Sequence, residues 1–122
     1  MREISSGNPN TRIRVTDEPG QGGANHKYEV VDEANAGLEL PVYVVYAEVG
    51  FQNGPIKVYG VNGCHQEDLI SIVIDRLRSF QAGPFKCREN ALALTKCEEA
   101  MHWLNHRTTE RIKRGVEGKN LE

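Results

Sequence analysis

The sequence predicts an α+β fold: a small N-terminal antiparallel β-sheet followed by two C-terminal α-helices that form a hairpin, the second helix long. Three observations carry this. Val, Tyr and Ile crowd the segment from Lys27 to Val61, and such residues favour a pleated, half-buried surface. From Gln66 the apolar spacing changes: Leu69, Ile70, Val73, Ile74, Leu77 and Phe80 recur at three- and four-residue steps, one face of a helix. Gly83-Pro84 then separates that run from a second run of the same period, which lasts to about Lys113.

Taken in order, residues 1–25 hold Gly7, Pro9, Pro19, Gly20, Gly22 and Gly23. They read as turn and loop, interrupted by one short alternating strand at Arg12–Val15. The stretch Gly20–Gly23 lacks the Lys-Ser/Thr ending of a P-loop and no helix pattern follows it, so a flexible linker outweighs a phosphate cradle. Residues 26–63 read as an antiparallel sheet of three to five strands, with runs at Lys27–Asp32, Pro41–Phe51 and Ile56–Val61. Asn53-Gly54 between the last two is a hairpin signal, weakened by Pro55.

Residues 64–118 carry the two helices, and 119–122 are a tail. The first helix has Glu67 and Asp68 in its first turn and Arg76 and Arg78 near its end, as the macrodipole prefers. The second begins near Phe85 or Lys86 and stops at Gly115; its apolar stripe is Ala93, Leu94, Cys97, Ala100, Met101, Leu104 and Ile112. At roughly 26 residues it is about 39 Å long, some ten residues longer than the first helix by this reading. The first helix and a small sheet cannot cover all of that stripe, and an exposed apolar strip predicts association, most simply as a two-fold homodimer.

Composition excludes several classes. The 122 residues carry a formal net charge of −2, so no global positive field holds long nucleic acid. No apolar run approaches the roughly 20 residues a membrane helix needs, and the polar start, Met1–Asn10, has no apolar leader core. Cys64, Cys87 and Cys97 are odd in number and contain no CxxC, which argues against a disulfide framework or structural zinc and for a reducing cytosol.

No catalytic constellation emerges. His102 and His106 share a helix face, but Trp103, Leu104 and Asn105 lie between them and the glutamate of an HExxH site is missing. Cys64 and His65 are sequence neighbours, which is not the geometry of a nucleophile–base pair. Glu67-Asp68 and Glu98-Glu99 point about 100° apart on a helix and are solvated faces.

The second helix is more informative at its ends. Lys86, Arg88 and Asn90 stand at its start; Arg107, Arg111, Lys113 and Arg114 at its end. Arginine forks match phosphate oxygens, so Arg107 and Arg111, one turn apart at the edge of the stripe, suit an anionic ligand; compensation of the helix dipole is the competing explanation. Asn90 falls on the stripe, where its amide either reads a base edge or fixes helix register. Phe80 closes the apolar face of the first helix, as core residue or as stacking platform. Asn90 and Arg107 lie 17 residues apart, or roughly 25 Å along a helix, too far for one nucleotide to touch both within one chain. A shared site is therefore composite: antiparallel second helices of a dimer bring Asn90 of one chain near Arg107 of the other.

The runs FQNGPIKVYGVNGC (Phe51–Cys64) and DRLRSFQAGPFKCRENALALTKCEEAMHWLNHRTTERIKRGVEG (Asp75–Gly118) resemble the phage-encoded Thoeris anti-defence sponge family of the first-described Tad type. The second run is also similar to the helical hairpin shared with the anti-CBASS cyclic-oligonucleotide sponges. The resemblance implies a protein of the host cell cytoplasm that is not an enzyme and needs no cofactor. Such a protein binds a cyclic ADP-ribose-type messenger (glycocyclic ADP-ribose) made by TIR-domain proteins and holds it intact. The hairpin then serves dimerisation and ligand binding, and trimers of dimers are open to the family. By the same analogy Phe80 stacks on adenine, Asn90 hydrogen-bonds the ligand, and Arg107 with Arg111 meets the diphosphate. Lys86 and Arg88 are looser candidates for a second nucleotide pocket. The alternatives are a sponge mainly for CBASS cyclic di- and trinucleotides, or a dimeric protein-interaction module without a small ligand.

Overall fold

The structure is a computed structural model and describes residues 2–33 and 43–115. The start of the expected Pro41–Phe51 strand, the end of the hairpin segment and the tail 119–122 lie outside the described residues. The chain divides after Cys64 into two compact units, Met1–Cys64 and His65–Glu122.

The first unit is a four-stranded antiparallel meander in the order β1 (Arg2–Ile4), β2 (Arg12–Val15), β3 (Lys27–Glu33) and β4 (Tyr43–Gly50). Its buried centre is small: Val15 and Val31 are essentially inaccessible, and Tyr28 packs edge-on against Phe51 at 5.7 Å. The sheet reaches back into the first 25 residues, where one strand was expected and two are found. β1 is only three residues long and exposed throughout. Nothing in its own pattern marks a strand; it exists because its backbone completes the edge of β2, with Arg2 opposite Val15 and Ile4 opposite Ile13. Arg12 and Arg14 both lay their guanidinium groups on the ring of Tyr43, a cation–π contact that fastens the sheet face.

The expected flexible linker at Gly20–Gly23 is instead a fixed 3-10 turn, Gln21–Gly23. Its local hydrogen bonds are Gly20 N–H to the Ala24 carbonyl at 2.8 Å and Gly23 N–H to the Gly20 carbonyl at 3.0 Å. A distant one, from the Gln21 N–H to Asn53 Oδ1 at 3.3 Å, anchors it to the loop after β4. Asp17 secures the following segment, its carboxylate accepting from the backbone N–H groups of His26 at 3.0 Å and Lys27 at 3.2 Å. Burial raises the Asp17 carboxyl, but these N–H groups, the Asn25 amide and electrostatic attraction from the nearby His26 together hold it below its ordinary value of 3.8. A depressed carboxylate stabilises the fold above that ordinary value and loses the contribution as pH falls through its folded value. The expected result is that Asp17→Asn lowers the melting temperature at neutral pH. It should also flatten the decline below pH 3.8, as read by thermal unfolding at a series of pH values.

The strand and hairpin expected over 56–61 are absent. Gly54 does adopt a turn conformation (φ 89°), but Pro55 then opens a single helical turn, α1 (Ile56–Tyr59), which Gly60 (φ 71°) ends. Side-chain amides close this loop in place of a strand ladder. Gln52 Nε2 donates to the carbonyls of Gly54 and Gly60, and the Asn62 side chain both accepts from and donates to the backbone of Asn53. Two amide side chains at suitable spacing can satisfy the backbone without a partner strand, and that option is invisible to an alternation count.

The second unit is the helical hairpin, α2 (Gln66–Gln81) and α3 (Arg88–Lys113). Asp68 accepts from the His65 N–H at 2.9 Å, capping α2; Gly115 (φ 71°) follows the last turn of α3. Of the expected stripe on α2, Ile74 is buried and Val73 exposed. On α3 the inward row is Leu94, Cys97, Met101, Leu104, Thr108 and Arg111, whereas Ala93 and Ile112 face out. Steps of three and four carry the row from Leu104 to Thr108 and Arg111 rather than to Ile112.

Candidate ligand site on the helical hairpin

The register of the hairpin decides where its candidate residues fall. Arg78 pairs with Glu98 at 2.8 Å. A groove is lined by Ser71, Ile74, Asp75 and Arg78 of α2 and by Glu98, Met101, His102 and Asn105 of α3. The helices are thus antiparallel, and continuing this register puts the end of α2 opposite about residue 95 of α3. The excess length of α3 lies mainly at its start, where it runs about two turns beyond α2 and is met by the connection 82–87.

That overhang, the end of α2 and the connection between them make the tip of the hairpin, where Phe80, Lys86, Arg88 and Asn90 lie. Phe80 is half-buried at the end of α2 and touches Phe85 edge-on, with centroids 6.1 Å apart and planes at 65°. Asn90 is half-buried in the first turn of α3. The residues around it set its position: Cys87, the N-cap of α3, accepts the Asn90 N–H on its sulfur at 3.4 Å. The Cys87 N–H in turn donates to Gln81 Oε1 at 3.1 Å, and the Asn90 side-chain Nδ2 donates to the Phe85 carbonyl at 3.4 Å. A thiol is a weak acceptor, so the Gln81 bond supplies much of what fixes this turn. The side-chain oxygen Oδ1 of Asn90 remains as a hydrogen-bond acceptor.

Arg107 and Arg111 lie at the other end. α3 is one unbroken helix from Arg88 to Lys113, so the span from Asn90 to Arg107 is about 25 Å. Arg107 is exposed and joins no ion pair among the described residues. Arg111 is 6% exposed and sits on the inward row, not at its edge; a guanidinium with so little water around it interacts strongly with any anion it meets. One chain therefore brings Phe80, Lys86, Arg88 and Asn90 together and leaves Arg107 and Arg111 apart from them.

Sequence reasoning passed over Arg76, Gln81, Phe85 and Cys87 as parts of this neighbourhood. The spacing of Arg76 and Phe80, one turn apart, is a readable signal for a cation on a ring; the positions of Gln81, Phe85 and Cys87 follow only from how the connection folds back. Among the described residues no group of three or more His, Cys, Asp or Glu side chains is placed to hold a metal ion, and no described helix is long and apolar enough to cross a membrane.

A two-helix hairpin with a polar, aromatic tip and arginines at the far end defines a hairpin-domain protein, and residues 44–109 match the family model described as the Acb2/Tad1 hairpin domain. The match covers more than half of the chain, which belongs to that family. It is also 50% identical over 99 residues to "Thoeris anti-defense 1" of Bacillus phage SBSphiJ7. That similarity covers 81% of this chain and 63% of the relative, so the chain spans somewhat under two thirds of the relative's length.

Proposed function

We propose that this protein is a phage anti-defence sponge of the host cytoplasm. It binds a cyclic ADP-ribose-type messenger of the Thoeris response, glycocyclic ADP-ribose, and holds it without cleaving it. The observation that carries this reading is the unbroken α3, with an aromatic–amide tip at one end and exposed and buried arginines about 25 Å away. Two such helices run antiparallel in a homodimer place the tip of each beside the arginines of the other. Each of the two pockets then offers Phe80 for the adenine, the Asn90 amide for a polar edge, and Arg107 with Arg111 for the diphosphate. The name of the Thoeris anti-defence relative supports the same reading.

Binding without chemistry asks for desolvated cations and a stacking face, not for a base, nucleophile or metal. The test is to incubate the protein with glycocyclic ADP-ribose, remove free ligand, denature by heat and weigh what is released. Intact messenger is the expected product; a linear or hydrolysed product overturns the reading.

A second reading rests on Lys86 and Arg88, two exposed cations flanking Cys87 at the tip. They suit a cyclic di- or trinucleotide in a separate pocket, which assemblies such as trimers of dimers would close. A dimeric interaction module without a small ligand is the remaining alternative; the heat-release experiment separates it, because nothing is then recovered.

A further inference from the structure

Two exposed side chains at the tip share the ring of Phe80. Phe85 is 71% exposed although wholly apolar, and it is held in place from behind because its carbonyl accepts the Asn90 side-chain N–H. Its ring meets Phe80 at 65°, so the two rings form an open corner rather than a closed stack. Arg76, one helical turn before Phe80, places its guanidinium carbon 5.2 Å from the centre of the Phe80 ring. Its neighbour Arg78 is committed to Glu98, whereas Arg76 joins no ion pair among the described residues.

We propose that Phe85 and Arg76 complete, with Phe80, a three-sided purine subsite, in which Phe80 is the floor, Phe85 the side wall and Arg76 a planar cover that stacks on the far face of the base. This rests on the reading of Phe80 as the adenine platform given above. A guanidinium is flat, weakly hydrated and stacks on aromatic faces. A base entering between Phe80 and Arg76 exchanges the guanidinium–phenyl contact for a guanidinium–base contact and adds its own stacking on Phe80, so the cover costs little to lift. The open corner admits a planar ring against two apolar surfaces at once, and the Asn90 amide stands at its base to read a polar edge.

The experiment uses the full chain and unmodified glycocyclic ADP-ribose, with binding followed by titration calorimetry. Phe85→Ala and Arg76→Ala should each weaken binding about tenfold, the loss of one stacking partner. Arg76→Lys should behave like Arg76→Ala, because an ammonium keeps the charge but not the plane. Both positions are exposed, so the melting temperature without ligand should not change. Wild-type affinity in Phe85→Ala and Arg76→Ala, alongside lost binding in Phe80→Ala, overturns the subsite and leaves Phe80 as the platform. Tighter binding by Arg76→Ala overturns it as well, because Arg76 would then only obstruct the ring. Wild-type binding by Phe80→Ala and Asn90→Ala overturns the platform itself, and the subsite with it.

Discussion

Mixing two defective variants, Asn90→Ala and Arg107→Ala, should restore messenger binding that neither shows alone. In the proposed homodimer, each variant has both pockets damaged. Removing Arg107 takes away a charge-assisted hydrogen bond worth about 1.5–3 kcal/mol, or roughly a 10- to 150-fold loss of affinity. Removing the Asn90 side chain also frees the Phe85 carbonyl that its amide holds, so the loss there includes disorder of the tip. In a mixed dimer, one pocket combines the two altered residues and the other combines unaltered Asn90 with unaltered Arg107. Random exchange of subunits makes about half of the dimers mixed, and so restores about a quarter of the wild-type pockets. Titration calorimetry after co-refolding measures that fraction directly. A mixture that binds no better than its parts would mean that the two residues serve one chain each, against the span of about 25 Å along α3.

Gly63→Ala should unfold the sheet unit under conditions where Gly50→Ala does not. The strand end Gly50–Gln52 and the returning segment Asn62–Cys64 run side by side. Cys64 N–H donates to the Gly50 carbonyl and Gln52 N–H to the Cys64 carbonyl, both at 2.8 Å. A Cβ on Gly63 would lie 2.6 Å from the carbonyl oxygens of Gly50 and Phe51 and hard against the Phe51 carbonyl carbon. These are backbone atoms, which cannot rotate aside, so the two segments must separate. The expected cost is about 3 kcal/mol, equivalent to a fall of roughly 12–24 °C in the melting temperature of a unit this small. A Cβ on Gly50 meets nothing within 4 Å. Thermal unfolding of the two variants compares them; equal tolerance would mean that the close approach is not a constraint.

Much of the hairpin was legible because helices advertise themselves locally. The steps Leu69, Ile70, Ile74 and Leu77, the Gly83-Pro84 break and Gly115 gave both helices and nearly their bounds, with α3 starting at Arg88 rather than Phe85 or Lys86. The sheet was legible in part. β2, β3 and the end of β4 follow from β-branched and aromatic residues. The three exposed residues of β1 and the single turn of α1 do not, because one exists through pairing with β2 and the other through amide side chains brought from 52 and 62. The same division holds at the candidate site. Phe80, Asn90, Arg107 and Arg111 were singled out as residue types at helical positions. Their neighbours Gln81, Phe85 and Cys87 enter through the fold of a six-residue connection between α2 and α3, which has no period to read.

By itself the sequence determined the class of fold, the long second helix and the separation of its two ends. Helical rise is a fixed property of the backbone, so 17 residues become a distance without any knowledge of packing. Only the tertiary structure decided that Arg111 lies on the inward row, that α1 replaces a strand, and that Phe85 and Arg76 share the ring of Phe80. Each of these depends on which groups meet across many residues of chain, where hydrogen-bond satisfaction and burial outweigh local propensity.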